Sequence, residues 1–398
     1  HRDVEAVGLS KIDLLGIRAL TVLAEAEHLV QRHYDPGFRQ ATIPPDDRRT
    51  ADLLACAETI GVFQCESEGA RRTLRQLRAR TVRDLAVANA FFKPGPAMGG
   101  MAATFVRRYR GEEPVAYLHP SLAPILGNTH GVLLFQEQIL RVARDIAGLT
   151  WEQADRLRRG MSHFGHQEMA ELQAYFVAGC RRPPPEGPGL TAQQAETLWD
   201  QVLAFAGYGF NQGHATAYAE VSYRTAYMKT HWPAAFLCAR LAERGGFHHP
   251  AVYMAEAGRL GLSVRPPHVN RSRRRFSLSW EGEQGILWMG LGQVRDLRLA
   301  SIQAILEERR VKPFADLRDL VGRVALHSKE MTHLVQCGAL DGLGTSRAAI
   351  LAEADEIRQA GSGLQMTVDL ARPRVTPEPA AQRLAWERQL LGQPVSVH

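Results

Sequence analysis

The spacing of apolar residues changes period at Gly16, and that change limits what the chain can become. Before it, Val7, Leu9, Lys11 and Asp13 alternate with Ser10, Ile12 and Leu14, the two-residue period of a short strand. After it, Leu20, Leu23, Ala26 and Val30 fall at helical spacing to about Arg32. Downstream the pattern stays mostly helical, with prolines and glycines as punctuation. Thr150 with Gln153 and Thr191 with Gln194 are capping-box patterns that start helices, the first carrying Arg156, Arg158 and Arg159. Ala215 to Ala242 is helical, kinked or broken at Pro233. The stretch from Ala41 to Arg49 is a loop, and Pro94-Gly95-Pro96 with Gly99-Gly100 demands a turn. Short strands are predicted at Ile60 to Gln64, ahead of a basic helix ending near Leu77, and at Gly131 to Phe135, feeding a helix through Ala147. Gly361 to Ala380 is a glycine- and proline-rich linker, with a short helix from Ala381 to Leu391. The expected fold is mainly α with short β strands, an α+β chain.

Size and charge bound the reading further. With 398 residues, 45% of them hydrophobic, the chain can bury two or three domain cores. No apolar run is long enough to span a bilayer and no signal-peptide pattern precedes the first strand, so no membrane partner is expected. The five cysteines are scattered without a Cys-x-x-Cys pair, which disfavours a zinc knuckle or a disulfide framework and fits a reducing cytoplasm. A net charge of +6 and a pI near 9.2 suggest a polyanionic partner only weakly. The distribution says more: arginines gather at 71–75, 107–108, 156–159, 181–182 and 271–275.

Asp13 is a lone carboxylate. Lys11 and Asp13 on one strand face suit phosphate and metal chemistry, yet a two-metal site needs several carboxylates, and taken alone Lys-x-Asp reads first as an edge-strand ion pair. The wider pattern is specific. Lys11-Ile-Asp-Leu-Leu-Gly-Ile-Arg18 resembles the segment of bacterial C-family DNA polymerases that carries the third palm aspartate. In the family's order follow Gly61-Val-Phe-Gln-Cys-Glu-Ser67, Lys93-Pro-Gly-Pro96, Tyr117-Leu-His-Pro120, Gly131-Val-Leu-Leu-Phe-Gln-Glu137 and Leu157-Arg-Arg-Gly-Met161. Gly207-Tyr-Gly-Phe-Asn-Gln-Gly-His-Ala-Thr-Ala-Tyr218, Lys229-Thr-His-Trp-Pro233, Cys337-Gly-Ala-Leu-Asp-Gly-Leu-Gly344 and Trp386-Glu-Arg-Gln-Leu-Leu-Gly392 complete the series. The resemblance covers nearly the whole chain.

The resemblance implies an edge of a nucleotidyltransferase-type palm over 1–37 and helical fingers over 38–245. A helix-hairpin-helix-like, duplex-contacting domain over 246–360 would follow, then a linker and the start of a further domain over 361–398. It implies template-directed transfer of deoxynucleotides to a primer 3′ end, with two Mg²⁺ ions in the complete enzyme. Asp13 would be a metal ligand and Lys11 would sit near phosphate or primer. Arg158 and Arg159 would bind triphosphate oxygens, Lys93 would support the fingers or a phosphate, and Asn211, His214 and Tyr218 would line the nucleotide pocket. Read alone, Arg158 and Arg159 also fit a solvated helix face, and His214 a capping or core histidine. Implied partners are primer–template DNA, dNTPs, and a sliding clamp with other replication or repair proteins, in a bacterial cytoplasm at the nucleoid.

Two departures stand out. The family's hairpin reads glycine–apolar–glycine, whereas here those positions fall on Asp296, Leu297 and Arg298, which do not accept positive φ as glycine does. Arg295, Arg298, Arg309 and Arg310 remain candidates for non-specific phosphate contacts. This hairpin resembles the error-prone branch of the family, while the 337–344 block looks like the replicative branch. The family's paired Asp-x-Asp is absent; Glu353-Ala-Asp355 lies in a helical pattern. The chain starts at a histidine and stops at Val395-Ser-Val-His398, so it is expected to be an internal fragment, inactive by itself. The alternative is a non-catalytic DNA-binding or accessory helical protein that docks with a separately encoded palm.

Overall fold

The computed structural model describes residues 7–9, 16–91, 101–159, 166–205, 209–243, 245–360 and 375–396. The expected strand at Lys11 and Asp13, the Lys93–Pro96 turn and most of the 361–380 linker lie outside the described residues, as does the Arg159 side chain. The fold is mainly α, and contacts divide it into two compact units, 41–230 and 1–40 with 231–398.

The 41–230 unit is built from helices around two apolar cores. One gathers Leu74, Leu85, Phe91, Phe105 and Tyr223, and the other Ile139, Phe176, Leu198, Trp199 and Phe205. Both capping boxes form. The Thr150 and Thr191 hydroxyls accept from the Gln153 and Gln194 N–H groups, and the glutamine side chains accept in return from the threonine N–H groups.

The two strands expected in this unit do not form. At 60–64 the chain turns, with Gly61 at φ 87° and Gln64 at φ 60°. Its polar groups are met by side chains instead: Lys229 Nζ, on a nearly buried side chain, donates to the Glu58 and Ile60 carbonyls at 2.6 and 2.9 Å. Glu66 accepts from the Gly61 N–H at 2.8 Å. At 131–135 only one parallel bridge forms, Phe135 to Phe210. Gln138 Oε1 accepts the Leu134 and Phe135 N–H groups, so the buried run satisfies its donors without a neighbouring strand.

The second unit packs helix Arg18–His33 on helix Pro233–Ala242. The chain breaks at Trp232, with Pro233 in the first turn of the new helix, where its missing N–H costs nothing. The three-stranded sheet of the described residues lies in this unit rather than in 41–230. Its strands are β1 (Ser263–Arg265), β2 (Ser277–Glu281) and β3 (Gln284–Trp288), in order β1-β3-β2, with β3 parallel to β1 and antiparallel to β2. Beyond it, helices Leu299–Val311, Leu317–Arg323, Ser328–Gln336, Arg347–Ala360 and Ala380–Leu391 enclose a third core around Ile305, Phe314, Leu334 and Leu390. The last helix is tied in by a buried ion pair, Arg347 Nη1 to Glu387 Oε1 at 2.9 Å. Among the described residues no helix is long and apolar enough to cross a membrane.

Candidate nucleotide and nucleic-acid sites

In the 41–230 unit, three segments far apart in sequence meet at the start of helix Gln212–His231. Asn211 caps it, its Oδ1 accepting from the His214 N–H at 2.7 Å. Glu137 accepts from Asn211 Nδ2 at 2.8 Å and from the Gln212 N–H at 2.9 Å, so a carboxylate sits at the positive end of the helix. The neighbouring Gln136 accepts from Arg158 Nη1 at 3.3 Å, and its own N–H donates to the Phe210 carbonyl at 3.0 Å. Gly209 permits this approach: a Cβ there would stand 2.9 Å from Gln136 Cγ and 3.1 Å from the Phe205 ring.

Arg158 lies in helix Trp151–Arg159 and is half-buried. Its Nε and Nη2 both donate to Asp155 Oδ1, at 2.9 and 2.8 Å. The guanidinium is thus oriented by an acid of its own helix. At the start of helix Gln212–His231 runs a row of rings: Phe210 to His214 at 5.6 Å, His214 to Tyr218 at 4.0 Å, and Tyr218 to Phe63 at 5.4 Å between centroids. His214 is exposed, and Phe210, Tyr218 and Phe63 are half-buried. Such a row offers π faces to a base.

The structure therefore brings Arg158, Asn211, His214 and Tyr218 together. Sequence reasoning missed Gln136, Glu137, Asp155 and Phe63. Gln136, Glu137 and Phe63 stand inside blocks already recognised, which was the available signal; Asp155 lies just outside one.

In the other unit, the hairpin before helix Leu299–Val311 departs from expectation. Asp296 adopts φ 61°, the left-handed region that aspartate enters more readily than most residues. Lys329 Nζ lies 2.8 Å from its carboxylate and holds its pKa below the usual range. Arg298 caps the helix with extended backbone at φ −69°. Its N–H, Nε and Nη2 all donate to Glu330, at 2.9, 3.0 and 2.8 Å, and Ser301 and the His327 N–H donate there too, at 2.8 and 2.9 Å. Burial alone would raise the Glu330 carboxyl, but these donors outweigh it and hold it at about 2.

Arg309 donates to the carbonyls of Val269 and Ser272. Arg295 and Arg310 are exposed. Of the four arginines named from sequence, two thus serve internal contacts and two face solvent. Burial pushes the Cys65, Cys180 and Cys337 thiols up to about 12, which keeps these three protonated and poor as nucleophiles. Among the described residues no cluster of three His, Cys, Asp or Glu could hold a metal ion, and Asp13 lies outside them.

Comparison with known proteins agrees with this architecture. A family profile described as "Bacterial DNA polymerase III alpha subunit finger domain" matches residues 19–183, and one described as "Helix-hairpin-helix motif" matches 261–350. The DNA polymerase III subunit alpha of Thermus aquaticus is 37% identical over 417 residues, covering 99% of this chain and 33% of that protein. That of Pseudomonas fluorescens is 38% identical, covering 86% of this chain and 30% of its own length, and that of Escherichia coli K12 is 35% identical, covering 88% and 31%. The chain spans about a third of the length of these curated relatives. Three mutually supporting features, the finger-type helical unit, the helix-hairpin-helix unit and this collinear identity, place the chain in the family of bacterial DNA polymerase III alpha subunits.

Proposed function

We propose that this chain is the part of a template-directed DNA polymerase that receives the incoming dNTP and holds primer–template DNA. The observation that carries the reading is the convergence at Gln136 and Glu137, which link Arg158 to the capped start of helix Gln212–His231. A guanidinium oriented by Asp155 can turn its remaining donors to phosphate oxygens. Asn211 holds the helix start in register, and His214 and Tyr218 offer stacking faces to the base. The likeness to polymerase alpha subunits supports the same assignment.

In the second unit, exposed Arg295 and Arg310 are the free members of the proposed DNA-contacting set, while Arg298 and Arg309 hold the fold around them. Lys11, Asp13 and Lys93 keep the roles that the resemblance implies, Asp13 as a ligand to Mg²⁺. That ion would supply charge neutralisation in phosphoryl transfer when bound. The sequence holds no Asp-x-Asp pair, and on this reading the chain alone does not extend a primer. A sliding clamp and other replication proteins would be partners of the longer protein.

Primer extension with Mg²⁺ and four dNTPs, run beside a duplex-binding assay, tests the reading. The expected result is no extension with salt-sensitive DNA binding retained. Extension abolished by Asp13→Ala would show that the chain is catalytically sufficient, and loss of all DNA binding would remove the DNA role.

A further inference from the structure

We propose that the loop 271–275 is a preorganised phosphate-contacting surface for duplex nucleic acid, separate from the hairpin tip. It deepens the DNA-binding reading above and rests on it. Arg271, Arg273, Arg274 and Arg275 are all exposed. Only Arg275 has a carboxylate partner, Glu243, among the described residues; Arg271, Arg273 and Arg274 have none.

The backbone beneath these side chains is fixed on both sides. The Leu291 and Gly292 N–H groups donate to the Arg273 and Arg274 carbonyls, each at 2.9 Å. Gly290 and Gly292 allow the contact, since a Cβ on either would stand 2.5 or 2.8 Å from the Arg274 carbonyl oxygen. On the other side, Arg309 holds the Val269 and Ser272 carbonyls, and Asn270 exchanges side-chain hydrogen bonds with Phe314 backbone at 2.8 and 2.9 Å. The Val269 N–H donates to the Ala339 carbonyl at 2.9 Å. Only the guanidinium stems are left to order on binding, which lowers the entropic cost of each phosphate contact.

The charge arrangement points the same way. Arg273 and Arg310 lie close enough to Arg309 to join burial in lowering its pKa, so like charges are crowded there. Such crowding costs stability in the free protein and is relieved by a polyanion. A cavity of about 520 Å³, lined by Arg18, Arg274 and Arg275 with the single carboxylate Glu243, runs on to Gln293, Leu297 and Leu299 at the hairpin. At the hairpin itself, the helix start is filled by Glu330, which takes the Arg298 N–H a phosphate would need. The loop carries no exposed aromatic ring, Phe276 being buried, so it fits duplex backbone rather than stacked single-strand bases.

The test is a salt titration of 398-residue chain binding to a 20-base-pair duplex, comparing the parent with an Arg271→Gln, Arg273→Gln, Arg274→Gln triple variant. Three lost phosphate contacts at roughly 0.9 each should flatten the log affinity against log salt slope by about 2.7. The matching Arg→Lys variant should restore most of that slope, because the charge returns without the fork. If the triple variant misfolds by circular dichroism, the single Arg274→Glu replaces it, with a slope loss of about 1 or more expected. A parent that binds duplex while a folded variant keeps its slope overturns this surface and leaves the DNA reading standing. A parent that binds no duplex overturns both. Binding to phosphatidylglycerol–phosphatidylcholine vesicles that falls in the variant, with duplex binding unchanged, would reassign the loop to a membrane and also overturn the proposal.

Discussion

Among the helices that begin against one of the chain's own carboxylates, Gln212–His231 and Leu299–Val311 differ in how deeply that carboxylate is buried. At helix Gln212–His231, Glu137 takes two donors, Asn211 Nδ2 and the Gln212 N–H, and is partly open to solvent. At helix Leu299–Val311, Glu330 takes five, from Arg298, Ser301 and His327, and is 2% exposed. Both occupy the kind of place an anionic ligand prefers, next to free N–H groups at a positive helix end. A partly solvated carboxylate with two contacts can swing away at small cost. A buried one with five cannot, because each donor left behind would be an unsatisfied polar group. The comparison suggests that the first seat is exchangeable and the second is permanent architecture.

The largest effect that can break this comparison is at Glu330. Glu330→Ala should destabilise the chain by about 3 kcal/mol in a denaturant titration. That is the low end for breaking a buried pair, since Arg298 keeps partial access to water. A loss no larger than that of Glu137→Ala would mean the two seats are alike. The acid limb sharpens the same point. Glu330 is held at about 2 in the folded chain against an ordinary 4.5, so its contribution is fully present above about pH 4.5. It fades as pH falls towards 2. In Glu330→Gln, stability should start lower at neutral pH and fall less steeply over that window; an unchanged slope would count against the assignment.

Smaller effects belong to the exchangeable seat. Asn211→Ala should cost about 1 kcal/mol, the usual loss of a helix cap, and should weaken dNTP binding by loosening the helix start. Glu137→Ala should cost less than about 1 kcal/mol and bind inorganic triphosphate several-fold more tightly, measured by isothermal titration, because the seat is vacated. Tighter binding is the sign that matters; weaker binding would make Glu137 part of the ligand's own support. The smallest change is Asp296→Gly. Glycine accepts φ 61° without strain but gives up an exposed ion pair to Lys329, so the denaturation midpoint should stay within experimental error.

Local signals were legible in proportion to how local their physics is. Both capping boxes, the break at Pro233 and the helix after Gly16 follow from residues within four positions of each other, and each element forms, although Leu20 of that helix's apolar set faces solvent. The two apolar runs at 60–64 and 131–135 looked like strands because their composition suits one. They are not strands, because Lys229, 169 residues away from Ile60, and Gln138 supply the partners a neighbouring strand would have supplied. The sheet at 263–288 went unseen since its strands are only three to five residues long and β3 is buried through most of its length, so little alternation shows. At the candidate site, Arg158, Asn211, His214 and Tyr218 stood out through the sequence blocks that carry the family resemblance. Gln136 and Glu137, which join them, did not, because a bridging role is defined by what lies on either side in space.

The sequence by itself determined the helical class, the caps and breaks, and the family, since these rest on short-range backbone preferences and on collinear residue identity. Only the tertiary structure decided which charged groups are available. Arg298 and Arg309 carry the same charge as Arg273 and Arg274, yet the first pair is spent on Glu330 and on loop carbonyls while the second faces solvent without a carboxylate. An arginine's charge is fixed by its chemistry, but whether a phosphate can reach it depends on which partners the packed fold has already brought within hydrogen-bond distance.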